Sequence, residues 1–464
     1  MAREQTAILF RKALGLTDSV AVGTQKMSTN PRAEDAGATE FLDCLNVTTT
    51  PDGCIEKVPS FATALETSAP VTRVAAGRRL VFSDGVNTKE WTTGSTIVNR
   101  FPVVDGPVVH TPQDVRVSAA TKNYKSADSS PTLAEVVAGT YVGPDTALRY
   151  GAMPVFTQAF VYTSRLYLVN RTDPRFLQYS EEYGYDLYNL GDNYILTQPI
   201  LQAGAVPGVG AGVSAIPGMI VATHIGGITV YSGTGPHDFS KKFFPCPVID
   251  GTLYCGRISK VDEYGVVFLG DDGVYFIGHD KKLVNLTAAQ FSNLGGVNTS
   301  YKTAVVTPDG KYLAIGATTT VEYDFRTKST LLRATQGVVD ACVWGDTAYF
   351  ASGTKLLQHA PAALDVPCHF VLPYSDLSAR GRKNFLGLYF SGTITGRWVI
   401  TATDQTGVSW SIDRTDNLVG VTGYYIKVPK AFLGNHISLK VQCLSGAFRL
   451  EELRAEITAS GRSR

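Results

Sequence analysis

No run of 18 apolar residues occurs anywhere in the chain, so no segment reads as a membrane-spanning helix. The opening residues, Met1-Ala-Arg-Glu-Gln, hold no apolar signal segment. The reading is a soluble protein made in the cytoplasm, with no membrane insertion. Excess charge is missing as well: Lys and Arg number 42, Asp and Glu 41, for a formal net charge of +1. That argues against a dedicated nucleic-acid binder held by phosphate contacts, though a wall that DNA slides past need not be strongly basic. Zinc spacing is absent. The seven Cys, at 44, 54, 246, 255, 342, 368 and 443, are odd in number and match no metal pattern. A hairpin about Thr49–Gly53 would set Cys44 near Val58 and Cys54 near Thr48, so those two are poor disulfide partners. The cysteines read as small buried apolar residues in a reducing compartment. No two of the seven His have ligand spacing. Nucleophile elbow, P-loop, HExxH and CxxC are all missing. The chain reads as a non-enzyme with no catalytic residue, no metal site and no cofactor.

Glycine (45), Tyr (22) and Phe (21) are abundant, while charged residues make up only 18%. This composition fits an all-β protein with many turns and aromatic-rich strands. The clearest unit is Val266–Leu286. Val266–Leu269 is an apolar strand, and Gly270-Asp-Asp-Gly273 is a turn. Val274–Ile277 returns, Gly278–Lys281 turns again, and Leu283–Leu286 is a third strand. Similar units pair Leu80–Phe82 with Thr88–Trp91, Phe160–Tyr162 with Leu166–Val169, and Met219–Ala222 with Ile228–Tyr231. Two more pair Tyr312–Ile315 with Thr320–Tyr323 and Ala348–Ala351 with Leu356–Gln358. From the third unit onward they begin 36 to 47 residues apart. A propeller blade takes about 40–50 residues, so the units predict a β-propeller of about six blades. The same strands could also be cut into two face-to-face sheets.

Around these units the chain divides in three: an N-terminal arm over 1–36, a propeller over 37–365 and a β-sandwich over 366–464. Arg3–Leu14 could form a short helix ended by Gly15. The polar stretch to Thr39 is either a loose terminus or an arm laid on a neighbouring subunit. Glu40–Val47 and Cys54–Pro59 form a hairpin that opens the propeller. Residues 107–155 break the period and read as an excursion between the first two blades, with Leu133–Val137 helical or extended. Gly204–Val213 reads as a flexible link. After the Pro/Ala linker Ala360–Pro367 come six longer strands: Phe385–Phe390, Trp398–Thr403, Val408–Ile412, Tyr424–Val428, Ile437–Cys443 and Phe448–Ile457. Several alternate strictly between apolar and polar, as a small β-sandwich requires.

Few residues suggest a site. Asp271-Asp272 lacks the further acidic ligands that Ca²⁺ wants, and a plain turn is the better reading. Asp404-Gln-Thr-Gly-Val-Ser-Trp410 resembles a sialidase Asp-box but has one residue too many between Asp and Gly, and it occurs once. Candidate partner or channel contacts are Lys241 and Lys242, ahead of Phe243-Phe244, and Arg380, Arg382 and Lys383, just before the first long strand. Glu181, Glu182 and Tyr185 belong to the acidic–aromatic stretch Glu181–Tyr188. For each of these the plain alternative is a solvated loop.

The order of parts resembles a known family. Asn46-Val47, Asp52-Gly-Cys-Ile55 and Val58-Pro-Ser-Phe61 follow a polar arm. Arg165-Leu-Tyr-Leu-Val-Asn170 precedes Phe176-Leu-Gln-Tyr-Ser180, and Ala402–Trp410 lies in the terminal domain. This is similar to the tail nozzle proteins of short-tailed bacteriophages, also called tail tubular protein B or head-completion and tail accessory factors. The resemblance runs from about residue 37 to 457. It implies a virion structural protein that forms a six-fold ring beneath the portal and adaptor rings. The ring would continue or close the DNA channel, touch the passing viral DNA, and carry fibres or spikes. A second reading is a tail or baseplate propeller that binds a host glycan, for which Glu181–Tyr188 is the best candidate surface. A propeller glycosidase is a third, but no carboxylate pair can be named for it.

Overall fold

The computed structural model describes residues 4–459 apart from 11, 17–37, 59, 93–95, 128–132, 138–139, 143–146, 190–193, 211–215, 259–262, 289–299, 363–365, 373, 375–382 and 435. Every element among the described residues is a β-strand. Seven four-stranded antiparallel sheets form the blades of a propeller, one more than the repeat spacing predicts. Blade 1 runs from Arg73–Ala76 to Thr96–Phe101, blade 3 from Phe156–Tyr162 to Tyr194–Leu196, and blade 4 from Gln202–Val206 to Ser240–Pro245. Blade 5 runs from Tyr254–Arg257 to Leu283–Asn285, and blade 6 from Tyr301–Val306 to Ser329–Ala334. The first strand of each blade adjoins the first strand of the next, and that of blade 7 (Val338–Trp344) adjoins Arg73–Ala76, which closes the ring.

The additional blade lies in the stretch read as an excursion. Val108–His110, Asp114–Ser118, Asn123–Ala127 and Leu133–Glu135 are blade 2. Its pattern is hard to see because much of what it buries is polar: Asp114, Arg116, Ser118, Asn123 and Ser126 are all buried. An apolar template passes over such strands. A two-stranded hairpin, Thr140–Val142 with Ala147–Arg149, follows before blade 3. The start of the glycine-rich link, 204–206, is likewise part of the inner strand of blade 4, Gln202–Val206, while 211–213 lie outside the described residues. A Cβ at Gly204 would sit 2.8 Å from the Cys255 sulfur of blade 5, so the small residues there answer crowding between inner strands, not a need for flexibility.

Blade 7 is completed from the other end of the chain. Its outermost strand is Ser60–Glu66, antiparallel to Lys355–Ala362. Phe61 stacks on Phe350 with ring centroids 4.1 Å apart.

The terminal domain is a nearly closed barrel-like sheet of nine strands, where the alternation predicts a six-strand sandwich. Two of the expected strand pairs are continuous: Lys383–Asp404 has 22 residues and Ser409–Gly434 has 26. Along one edge, Lys383–Asp404 pairs first with Phe448–Ala459 and then with Ile437–Cys443. The hairpin read as opening the propeller belongs to this domain. Ile55–Lys57 pairs with Phe448–Ala459, and Asp43–Leu45 pairs with Cys368–Val371. Asp43–Leu45 and Val47–Thr49 stand at the two ends of the sheet path, yet only Asn46, with φ 56, separates them in the chain. Glu4–Phe10, expected within a helix, is a strand in register with Phe448–Ala459. An open sheet edge supplies backbone partners that outweigh weak helix propensity.

The barrel rests on the outer strand of blade 6. The Asn46 amide donates to the Leu332 carbonyl at 2.9 Å, and the Asn46 side-chain oxygen accepts from the Ala334 amide at 2.8 Å. One apolar core runs from Val267 and Tyr312 in the propeller to Trp398 and Phe390 in the barrel.

Candidate interaction surfaces

The sequence candidates separate once folded. Lys241 and Lys242 lie on Ser240–Pro245, the exposed outer strand of blade 4. Each ammonium rests against a ring: Lys241 lies 5.8 Å from the Tyr231 centroid and Lys242 4.4 Å from that of Phe244. Such contacts are worth about 0.5–1 kcal/mol at exposed sites. Beside them Phe243 is exposed, which makes this edge a mixed basic and aromatic surface. Lys383 opens the long barrel strand, far along the chain from blade 4. Arg380 and Arg382 lie outside the described residues.

The acidic–aromatic stretch is mainly a clasp between blades. Tyr185 is only 3% exposed, so it is not a contact residue open to a partner. Its carbonyl accepts from the buried Arg116 guanidinium at 2.7 Å, and that guanidinium also lies over the Tyr185 ring. Arg116 further meets Asp114 at 2.9 Å and Asp186 at 2.7 Å, and Lys125 also pairs with Asp186. Burial works against the Arg116 charge, but the bonded Asp114 carboxylate beside it raises its pKa. Glu181 and Glu182 stay near the surface, paired at 3.4 and 3.8 Å with Arg165. Tyr183 is the exposed ring of the stretch.

The propeller axis is lined by first strands rich in small residues, with Ala203, Gly204 and Ala205 in blade 4 and Ala304 in blade 6. Asp340 ties the ring shut: its carboxylate accepts from the Val74 amide of blade 1 and from its own neighbour Ala341, both at 2.9 Å. Burial outweighs those two bonds and pushes the Asp340 carboxyl up to about 6. The folded value is raised, so this group's stabilisation is complete below the unfolded pKa of about 3.9 and is lost as pH rises through about 6. An Asp340→Asn variant is therefore expected to lack that part of the decline. Urea midpoints measured between about pH 4 and 7 check it; parallel curves for the two proteins would contradict it.

The acidic turns are structural. The Asp272 carboxylate accepts the Tyr275 hydroxyl at 2.8 Å. The Asp404 carboxylate accepts the amides of Thr406 and Val408, both at 2.9 Å, and closes the long hairpin. Trp410 packs against Phe385 beside it. Among the described residues no group of three or more His, Cys, Asp or Glu is placed to hold a metal ion.

The barrel has a long open edge among the described strands. Ser409–Gly434 pairs with Lys383–Asp404 and with no other described strand. Sequence alternation splits this strand in two and hides its length, because Gly420 (φ 58) and Gly423 (φ 65) interrupt the pattern.

No family model and no curated protein matches the chain. Solved structures do. Streptogramin B lyase is 10% identical, over 64% of this chain and 95% of that one, with a TM-score of 0.40. A catalytically inactive virginiamycin B lyase from Staphylococcus aureus with quinupristin is 9% identical, over 64% and 97%, with a TM-score of 0.42. PorZ, a surface component of the type-IX secretion system of Porphyromonas gingivalis, is 10% identical, over 71% and 45%, with a TM-score of 0.38. At these scores the likenesses carry no argument about what this chain does.

Proposed function

We propose that the chain is a structural subunit of a short-tailed bacteriophage particle, a tail nozzle protein without enzyme activity. In this reading six copies form a ring below the portal and adaptor. The ring continues or closes the DNA channel and carries fibres or spikes. The observation that carries the reading is the 26-residue strand Ser409–Gly434, paired on one side only among the described strands. A long open edge is a hazard for a lone protein and a ready-made surface for one that assembles. Two further features agree with it. Strands from the N-terminal region complete both the propeller and the barrel, which gives a stiff two-lobed body. A net charge of +1 suits a wall that DNA passes without being held.

Gold-labelled antibody against the purified chain, imaged on virus particles, tests this. Label at a single vertex, on the tail stub, is the expected result. Unlabelled particles, or label spread along fibres, would overturn the nozzle role. In that event a glycan screen of the purified propeller-containing chain becomes the next measurement, starting at the exposed Glu182 and Tyr183.

A further inference from the structure

Strands Lys383–Asp404, Ser409–Gly434 and Phe448–Ala459 run side by side in the barrel wall. Leu388, Phe390, Ile426, Leu453 and Ala455 are buried on the core face, so their alternating neighbours Tyr389, Tyr425, Glu452 and Arg454 lie on the outer one. The pairing slips on both sides of Gly392. There φ is 142°, and a Cβ would come within 2.1 Å of the Arg449 carbonyl oxygen. Such a bulge bends the strand and re-aims the side chains beside it. Next to the slip is a cavity of about 180 Å³ lined by Tyr389, Ser391, Thr422, Gly423, Glu452 and Arg454.

We propose that this cleft binds a neutral sugar, one pyranose ring at a time. Size is the first argument. The volume is well short of the roughly 300–1,000 Å³ usual for larger ligands. Charge is the second. Glu452 and Arg454 pair at 2.7 Å, so the site has no net charge. A phosphate would face the Glu452 carboxylate, and a metal cation would face the Arg454 guanidinium. Adjacent sugar hydroxyls suit both, donating to the carboxylate and accepting from the guanidinium. The Ser391 hydroxyl oxygen accepts from the Gly423 amide at 3.0 Å, which leaves its own proton to donate. Apolar surface is the third. Tyr389 and Tyr425 have ring centroids 5.0 Å apart at an angle of 48°. Tyr389 lines the cleft, and Tyr425 braces it from the side of Gly387, where a Cβ would stand 2.5 Å from the Tyr425 ring. Flat aromatic faces of this kind pack well against the C–H face of a pyranose.

The proposal goes beyond the assembly role and does not depend on it: the cleft shares the strand Ser409–Gly434 with the open edge, but vertex labelling and sugar binding are read by different assays. Saturation-transfer NMR on the full chain, with glucose, galactose, mannose and N-acetylglucosamine, tests it. At least one sugar should receive saturation. Glu452→Gln and Tyr389→Ala should each weaken that binding about tenfold or more, the loss of one charge-assisted bond or one ring face. Thr422→Trp, which fills the cleft from an exposed position, should abolish it and decides the matter if Tyr389→Ala fails to fold. Absence of transfer to all four sugars overturns the proposal, as does binding unchanged in Glu452→Gln and Thr422→Trp. Competition by inorganic phosphate would overturn the neutral class of ligand.

Discussion

A Glu322→Ala variant is expected to lose about 3–5 kcal/mol of stability, the usual cost of removing one partner from a buried ion pair. Glu322 is 1% exposed in the third strand of blade 6. Its carboxylate meets Lys311 at 2.8 Å and Arg333 at 3.2 Å, and Lys311 also donates to the Thr48 hydroxyl of the barrel at 2.7 Å. Without Glu322 two cations are left buried at the junction between the lobes. Denaturation in urea, followed by tryptophan fluorescence, gives the loss directly. A cost below about 1 kcal/mol would mean that water reaches the cluster. The same group sets an acid limit. Burial raises the Glu322 pKa, but the charges of Lys311 and Arg333 hold it below the ordinary value. A depressed folded pKa means stabilisation present above the unfolded value of about 4.3 and lost as pH falls through the folded one. The native protein should therefore weaken on acidification below about pH 4, and the variant should lack that component.

Phe61→Ala should cost a similar amount, about 3–5 kcal/mol. Phe61 is buried in the strand that completes blade 7, stacked on Phe350, with the Arg333 guanidinium 4.5 Å from its ring centroid. Truncation leaves a void at the seam where the two ends of the propeller meet. It also removes the cation–π contact to Arg333. Because Arg333 touches both Phe61 and Glu322, the double variant should differ from the sum of the single ones by about 0.5–3 kcal/mol. Limited proteolysis is the second readout: faster cleavage at the Ser60–Glu66 strand is expected in Phe61→Ala. A protease pattern identical to that of the parent would show that the seam is held by other contacts.

Both variants fall at a place with no marker in the sequence. Phe61 lies just past the hairpin read over Cys54–Pro59, and Glu322 reads as one polar residue in a strand. Their roles arise because Ser60–Glu66 crosses to a strand almost 300 residues later, bringing Phe61 beside Arg333. The candidate site shows the same division. Lys241 and Lys242 are exposed as their charge suggests. Tyr185 is sealed into an inter-blade clasp because Arg116, from a blade the apolar pattern missed, needs its carbonyl. The cleft beside Gly392 was invisible because its residues come from three strands and meet only at a register slip.

The amino-acid sequence by itself determined the all-β character and the positions of the hairpins in six of the seven blades. These depend on alternation and on turn glycines, which act over a few residues. Blade 2, the closing strand of blade 7, the strand pairing of Glu4–Phe10 and the near-closure of the barrel were decided only in the tertiary structure. Each requires a backbone edge or a buried charge to find its partner far along the chain. A local pattern records that a residue is polar, but not that a distant partner will satisfy it.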